Sequence, residues 1–133
     1  MKIVFTNGCF DILHRGHIEY LEESKSFGDY LIVGLNSDES VKRLKGESRP
    51  VNNENDRKFM LESLMCVDEV IIFYEDTPYQ LIKEIEPDIL TKGGDYSDPR
   101  KIVGFDIAKT TYILPYKNGY STTKIIERIH NET

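Results

Sequence analysis

Cysteine is scarce in this chain: of 133 residues only Cys9 and Cys66 are thiols. Two are too few for a disulfide framework, and no Cys/His spacing typical of a metal site occurs. No apolar run approaches the roughly 20 residues of a membrane span. The opening "MKIVFTNGCF" turns polar too early for a secretory signal. A cytoplasmic protein with reduced thiols and no membrane contact is therefore expected. Positive charge is not in excess either, since 17 Lys and Arg face 23 Asp and Glu for a formal net charge of -6. That balance argues against a general nucleic-acid binder, which carries a basic footprint. It leaves room for a small anionic ligand held in a local basic pocket. Both glycine-rich phosphate signatures, G-x-x-x-x-G-K-[ST] and G-x-G-x-x-G, are missing, so a bound nucleotide must be held by other groups.

What is present is an ordinary globular composition, 39% hydrophobic and 30% charged, sized for one domain over residues 1–133. Five short runs, "KIVFTN", "YLIVGLN", "EVIIFYE", "DILTKGG" and "TYILPY", read as strands. Most are apolar on successive residues, as in strands covered on both faces. Helical spacing lies between them, at about residues 16–27 and 54–65. Two more helices are expected in "DTPYQLIKEI", with Thr77 as cap and Pro78 in the first turn, and in "STTKIIERI", opening at Ser121. This alternation predicts an α/β fold: a Rossmann-like, doubly wound, five-stranded parallel sheet with helices on both faces. Ligands of such sheets sit at the carboxyl ends of the strands. The polar stretch "KGESRPVNNEND", residues 45–56, is expected to be a loop over the site, with a plain surface connection as the alternative.

The stretch "FTNGCFDILHRGHIEYL", residues 5–21, carries the chemistry. Gly8 follows the first strand, so the backbone can turn and present N–H groups to a phosphate. The helix that follows points its positive end at the same place. His14 and His17, three apart, fall on one side of that turn, and Gly16 lets a ligand approach the backbone. Two of the three histidines gathered here favour phosphate binding over a simple polar cap.

"HRGH" resembles the His-x-Gly-His motif of the cytidylyltransferase-like nucleotidylyltransferases, and "STTK" resembles their second signature. The runs "RPVN", "DTPYQLI", "KGGDY" and "GYSTTKIIERI" are most similar to the adenylyltransferase domain of ADP-heptose synthases. The resemblance covers nearly the whole chain. It implies attack of an acceptor phosphate on the α-phosphorus of a nucleoside triphosphate, with release of pyrophosphate and no covalent enzyme intermediate. ATP and D-glycero-D-manno-heptose 1-phosphate are the implied substrates. CTP with glycerol 3-phosphate or a related polyol phosphate is the alternative, and a non-catalytic nucleotide-binding module is the reading from another class. Mg2+ would arrive with the triphosphate; no resident metal and no organic cofactor are expected. A homodimer is a further implication, as is a separate kinase that makes the sugar phosphate.

The same resemblance implies catalytic roles for His14, His17, Lys45 and Arg57. Asn7, Gly8, Cys9 and Phe10 would line the phosphate-facing turn. Lys42 resembles a triphosphate lysine, although a solvated helix face competes for both Lys42 and Lys45. Gly94 and Asp95 are candidates for the nucleoside side, with a tight turn as the alternative. Ser121, Thr122 and Thr123 open the last helix, where hydroxyls suit phosphate; an N-cap accounts for Ser121 alone. Asp11, Asn36, Asp38 and Lys117 are candidates for the acceptor side, with turn or cap roles as alternatives for the first three. Cys9 lacks a partner base and reads as packing rather than as a nucleophile. Arg15, Lys117, Asn118 and Tyr120 depart from the heptose pattern.

Overall fold

The computed structural model describes residues 1–94, 96–115 and 120–132. Five strands form one parallel sheet: β1 (Ile3–Gly8), β2 (Tyr30–Asn36), β3 (Glu69–Phe73), β4 (Ile89–Gly93) and β5 (Thr110–Leu114). Their order is β3-β2-β1-β4-β5. The helices are α1 (Arg15–Ser26), α2 (Asp38–Lys45), α3 (Glu54–Glu62), α4 (Tyr79–Ile85) and α5 (Thr122–Glu132). The expected Rossmann-like architecture is the observed one.

Side chains along a strand alternate between faces, and both faces here are dry. Val4 of β1 joins Leu31, Val33 and Leu35 of β2 in one apolar layer with Leu21 of α1 and Leu61 of α3. Phe5 and Ile32 point the other way, into a second layer with Ile82 of α4, Leu90 and Ile102. This double burial is why the strands read as continuous apolar runs. Gly34 is required by close packing: a Cβ there would lie 2.6 Å from the Phe5 ring.

The chain leaves β1 toward β2 on one side and later returns to β4 on the other. A parallel sheet parts its connections at such a switch, here between β1 and β4, and leaves a crevice at the carboxyl edge. Gly8 of β1 and Lys92 and Gly93 of β4 stand at that edge.

Four local expectations are corrected. Helix α4 starts later than the pattern suggested: Pro78 takes the cap position, and Thr77, one residue before it, accepts the Tyr79 N–H at a long 3.5 Å. Strand β5 stops at Leu114, and α3 stops at Glu62 with Ser63 as its C-cap. Of the stretch 45–56 expected to lie over the site, Lys45 lines both cavities at the carboxyl edge and residues 46–56 line neither. Among the described residues, no helix is long and apolar enough to cross a membrane.

Candidate active site

The phosphate-facing turn follows directly from β1. Phe10 adopts a left-handed backbone, φ 46°, which costs a non-glycine residue about 1–2 kcal/mol. Neighbours on both sides hold it there. Its ring packs edge-on against His17, centroids 5.3 Å apart. Behind it, the Asp11 carboxylate is 4% exposed and accepts the backbone N–H groups of Val51 (2.8 Å) and Asn52 (2.9 Å). Asp11 borders the cavity, yet its oxygens are committed to this loop. Its expected acceptor role is thereby corrected to an anchoring one.

His14 and His17 turn out to be the helix cap itself. His14 is the N-cap of α1 and His17 the third helical residue. Each Nδ1 accepts the other residue's backbone N–H, at 3.3 and 3.4 Å, and the rings stack with centroids 3.8 Å apart. A neutral imidazole whose Nδ1 accepts carries its proton on Nε2. The reciprocal cap thus fixes both tautomers and leaves two Nε2–H donors available for ligand. Gly16 makes the stack possible, since a Cβ would lie 3.0 Å from the His14 ring and 2.9 Å from Tyr120.

Burial lowers the pKa of both rings, that of His17 to about 4 with His14 and Lys45 adding to the shift. Both are neutral at pH 7, as the cap requires. An unfolded histidine titrates near 6.5, so the folded state binds fewer protons between about 6.5 and 4. Stability from neutral His17 is complete above that window and is lost as pH falls through it. Urea unfolding at pH 7 and at pH 4.5 should show this decline, at most about 3 kcal/mol, and His17→Ala should flatten it.

Around this cap lies a cavity of about 470 Å³, lined by the phosphate turn, His14, His17, Lys45, Lys92 and the start of α5. Asn7, Gly8, Cys9 and Phe10 line it as expected, with Ser121, Thr122 and Thr123 opposite. The hydroxyls at the helix start divide their work. Ser121 Oγ accepts the Lys124 N–H (3.0 Å) as a cap, and Thr122 Oγ1 donates to the Ile12 carbonyl (3.2 Å), docking α5 beside the phosphate turn. Burial raises the Cys9 thiol pKa despite nearby Lys45, Arg57 and Lys92, which keeps it protonated and agrees with a packing role.

A second cavity of about 370 Å³ shares Asn7, Gly8, Cys9, Lys45, Lys92 and Tyr96 with the first. It extends toward Asn36, Asp76, Thr77 and Lys101. Asn36 belongs here, whereas Asp38 does not: its carboxylate accepts from Arg57, and Ser37 rather than Asp38 caps α2.

Arg57 is not in the cavity. It is 1% exposed, and its guanidinium donates to the carbonyls of Cys9 (2.8 Å), Asn36 (2.8 Å) and Asn52 (2.9 Å) and to Asp38 Oδ1 (2.9 Å). The expected phosphate contact is replaced by a buried brace that ties β1, β2 and the loop together. Lys42 lines neither cavity and lies exposed on α2. Gly94 is buried, donates its N–H to the Leu114 carbonyl (3.1 Å), and has φ 131°, a turn role. Asp95 and Lys117 lie outside the described residues.

Lys92 and Tyr120 line the cavity without having been singled out for ligand binding. A lone lysine near the end of an apolar strand was the available signal for the first.

Residues 5–128 match the cytidylyltransferase-like family. The chain belongs to that family. The nucleotidylyltransferase class expected from the sequence agrees with this membership. Among similar proteins, the "Bifunctional protein HldE" of Helicobacter pylori (strain Shi470) is 60% identical over 128 residues, 96% of this chain and 27% of that protein. The protein of the same name from a Nitratiruptor species is 58% identical over 130 residues, 98% of this chain and 28% of that one. The chain thus spans little more than a quarter of these relatives. A crystal structure of the lipopolysaccharide core biosynthesis protein from Thermoplasma volcanium superposes with a TM-score of 0.71 at 36% identity. It covers 91% of this chain and 99% of its own.

Proposed function

We propose that this domain transfers an adenylyl group from Mg-ATP to D-glycero-D-manno-heptose 1-phosphate, releasing pyrophosphate and forming a nucleotide-diphosphate sugar. One observation carries the reading: two stacked, neutral histidines whose mutual cap leaves both Nε2–H donors at a cavity opposite the start of α5. The high identity to proteins named HldE supports the heptose substrate.

The protein's part is positioning and charge stabilisation. The histidines donate to oxygens of the triphosphate, whose charge on the α-phosphorus grows during transfer. Ser121, Thr122 and Thr123 at the N-terminus of α5 line the same cavity, where the uncapped N–H groups of a helix start suit phosphate. Mg2+ enters as part of the triphosphate substrate, where it offsets phosphate charge. The product would serve lipopolysaccharide or capsule synthesis in the cytoplasm, with the heptose phosphate supplied by a kinase.

The test is pyrophosphate release by the purified protein with Mg2+, crossing ATP, CTP, GTP and UTP against heptose 1-phosphates and glycerol 3-phosphate. Turnover with ATP and the heptose supports the reading. Turnover only with CTP and glycerol 3-phosphate replaces it. Nucleotide binding without turnover in any pair points to a non-catalytic module. A homodimer belongs to the same proposal, through the exposed Phe59 and Met60 of α3; a monomeric mass in sedimentation equilibrium would refute it.

A further inference from the structure

Two ammonium groups stand in the wall shared by the cavities, and they are unlike. Lys45 is exposed at the end of α2. Lys92 belongs to β4, two residues beyond Leu90 and on the same face. Leu90 packs with Phe5, Ile32, Ile82 and Ile102, so Lys92 rises from an apolar floor into the crevice. Burial pushes its pKa down and Lys45 pushes the same way, while only the Cys9 thiol opposes. The cavities do hold two carboxylates, but Asp11 is committed to the N–H groups of Val51 and Asn52 and Asp76 to Arg43. An ammonium in such a place costs stability, and an apolar side chain of similar length would cost less. An anionic ligand at the shared wall would offset that cost.

The chemistry says which anion. The histidines and the start of α5 line the first cavity only. The second is lined by Thr77, by Asp76, which Arg43 holds at 2.7 Å, by Asn36, which donates to Ser40, and by Lys101; the oxygens of the first three can still accept from hydroxyls. In nucleotidyl transfer an oxygen of the acceptor's phosphate monoester forms a bond to the α-phosphorus. The bond from that phosphorus to the bridging oxygen breaks, and pyrophosphate leaves with the electron pair. The two phosphate groups must therefore meet across the wall of Asn7, Gly8 and Cys9, where their repulsion opposes attack. A fixed cation of low solvent access is most effective at that point.

We propose that Lys92 is a catalytic residue that grips the phosphate monoester of the acceptor where the two cavities meet, with the acceptor's hydroxyl-bearing part in the second cavity. This rests on the nucleotidyl-transfer reading above.

Lys92→Met and Lys92→Arg test it, in the full chain. Calorimetry would use α,β-methylene ATP, which cannot release pyrophosphate, followed by heptose 1-phosphate or glycerol 3-phosphate as second ligand. Lys92→Met is expected to bind the ATP analogue within about twofold of the parent, yet to lose about tenfold or more in monoester affinity and about 10² in kcat. Lys92→Arg should recover part of both losses. The melting temperature of ligand-free Lys92→Met should be unchanged or higher, as expected when a binding residue that costs stability is removed. A lower melting temperature with both ligands weakened would make Lys92 a structural residue and overturn the proposal. So would selective loss of the ATP analogue, unchanged monoester affinity, or a parent protein that binds no phosphate monoester. The two readings fail separately. Monoester binding that depends on Lys92, without turnover, refutes nucleotidyl transfer and leaves the monoester site standing. Normal turnover and KM in Lys92→Met refute the role of Lys92 alone.

Discussion

Replacing His17 by alanine is expected to lower kcat by about 10²–10³, with triphosphate affinity weakened far less. The size follows from removing one pre-organised donor aimed at developing charge. The ring does two jobs, and alanine removes both. Its Nδ1 accepts the His14 N–H at 3.4 Å, which helps seat the first turn of α1, and its Nε2–H is left for the ligand. Loss of a cap alone costs about 1 kcal/mol. His17→Gln separates the two, because a glutamine at this position can restore the reciprocal box without placing an imidazole N–H. Pyrophosphate release and urea unfolding should therefore diverge: near-parental stability in the glutamine variant, with turnover still lost. Recovery of turnover together with stability would reduce His17 to a cap.

Arg57→Ala is expected to destabilise the fold by about 3–5 kcal/mol, measured by urea unfolding. Truncating a buried charged partner leaves its acceptors unsatisfied, and here three carbonyls and the Asp38 carboxylate lose their donor together. Domains are stable by only about 5–15 kcal/mol, so much of the margin would go. Activity should fall too, because the Cys9 carbonyl is part of the turn that holds Phe10 in its left-handed conformation. Arg57→Lys should rescue little, since one ammonium cannot span acceptors on β1, β2 and the loop. If Arg57 instead acted at the phosphates, Arg57→Ala would raise KM and leave the urea midpoint in place.

These two residues show how far the sequence could be read. Strand character was evident because β1 and β2 are covered on both faces, which removes the alternating polar positions. The His-x-Gly-His spacing and the hydroxyl run pointed to one crevice, and both line it. Arg57 and Asp11 were harder. A charged side chain beside a polar loop reads equally as a ligand contact or a brace, and the decision lies in long-range bonds such as Asp11 to Val51 and Arg57 to Cys9. Lys92 was obscured for the opposite reason: the glycines that follow it drew attention to the turn, while the face on which it emerges depends on Leu90 packing inward.

By itself the sequence determined the α/β class, the order of elements and the family, because periodicity and short motifs are local properties of the chain. Tertiary structure alone decided which charges face the crevice and which are consumed in holding it. Strand order β3-β2-β1-β4-β5 brings β4 beside β1, placing Lys92 at the wall and Arg57 behind it. Spacing along a chain says nothing about which side of a strand's end a distant side chain will fill.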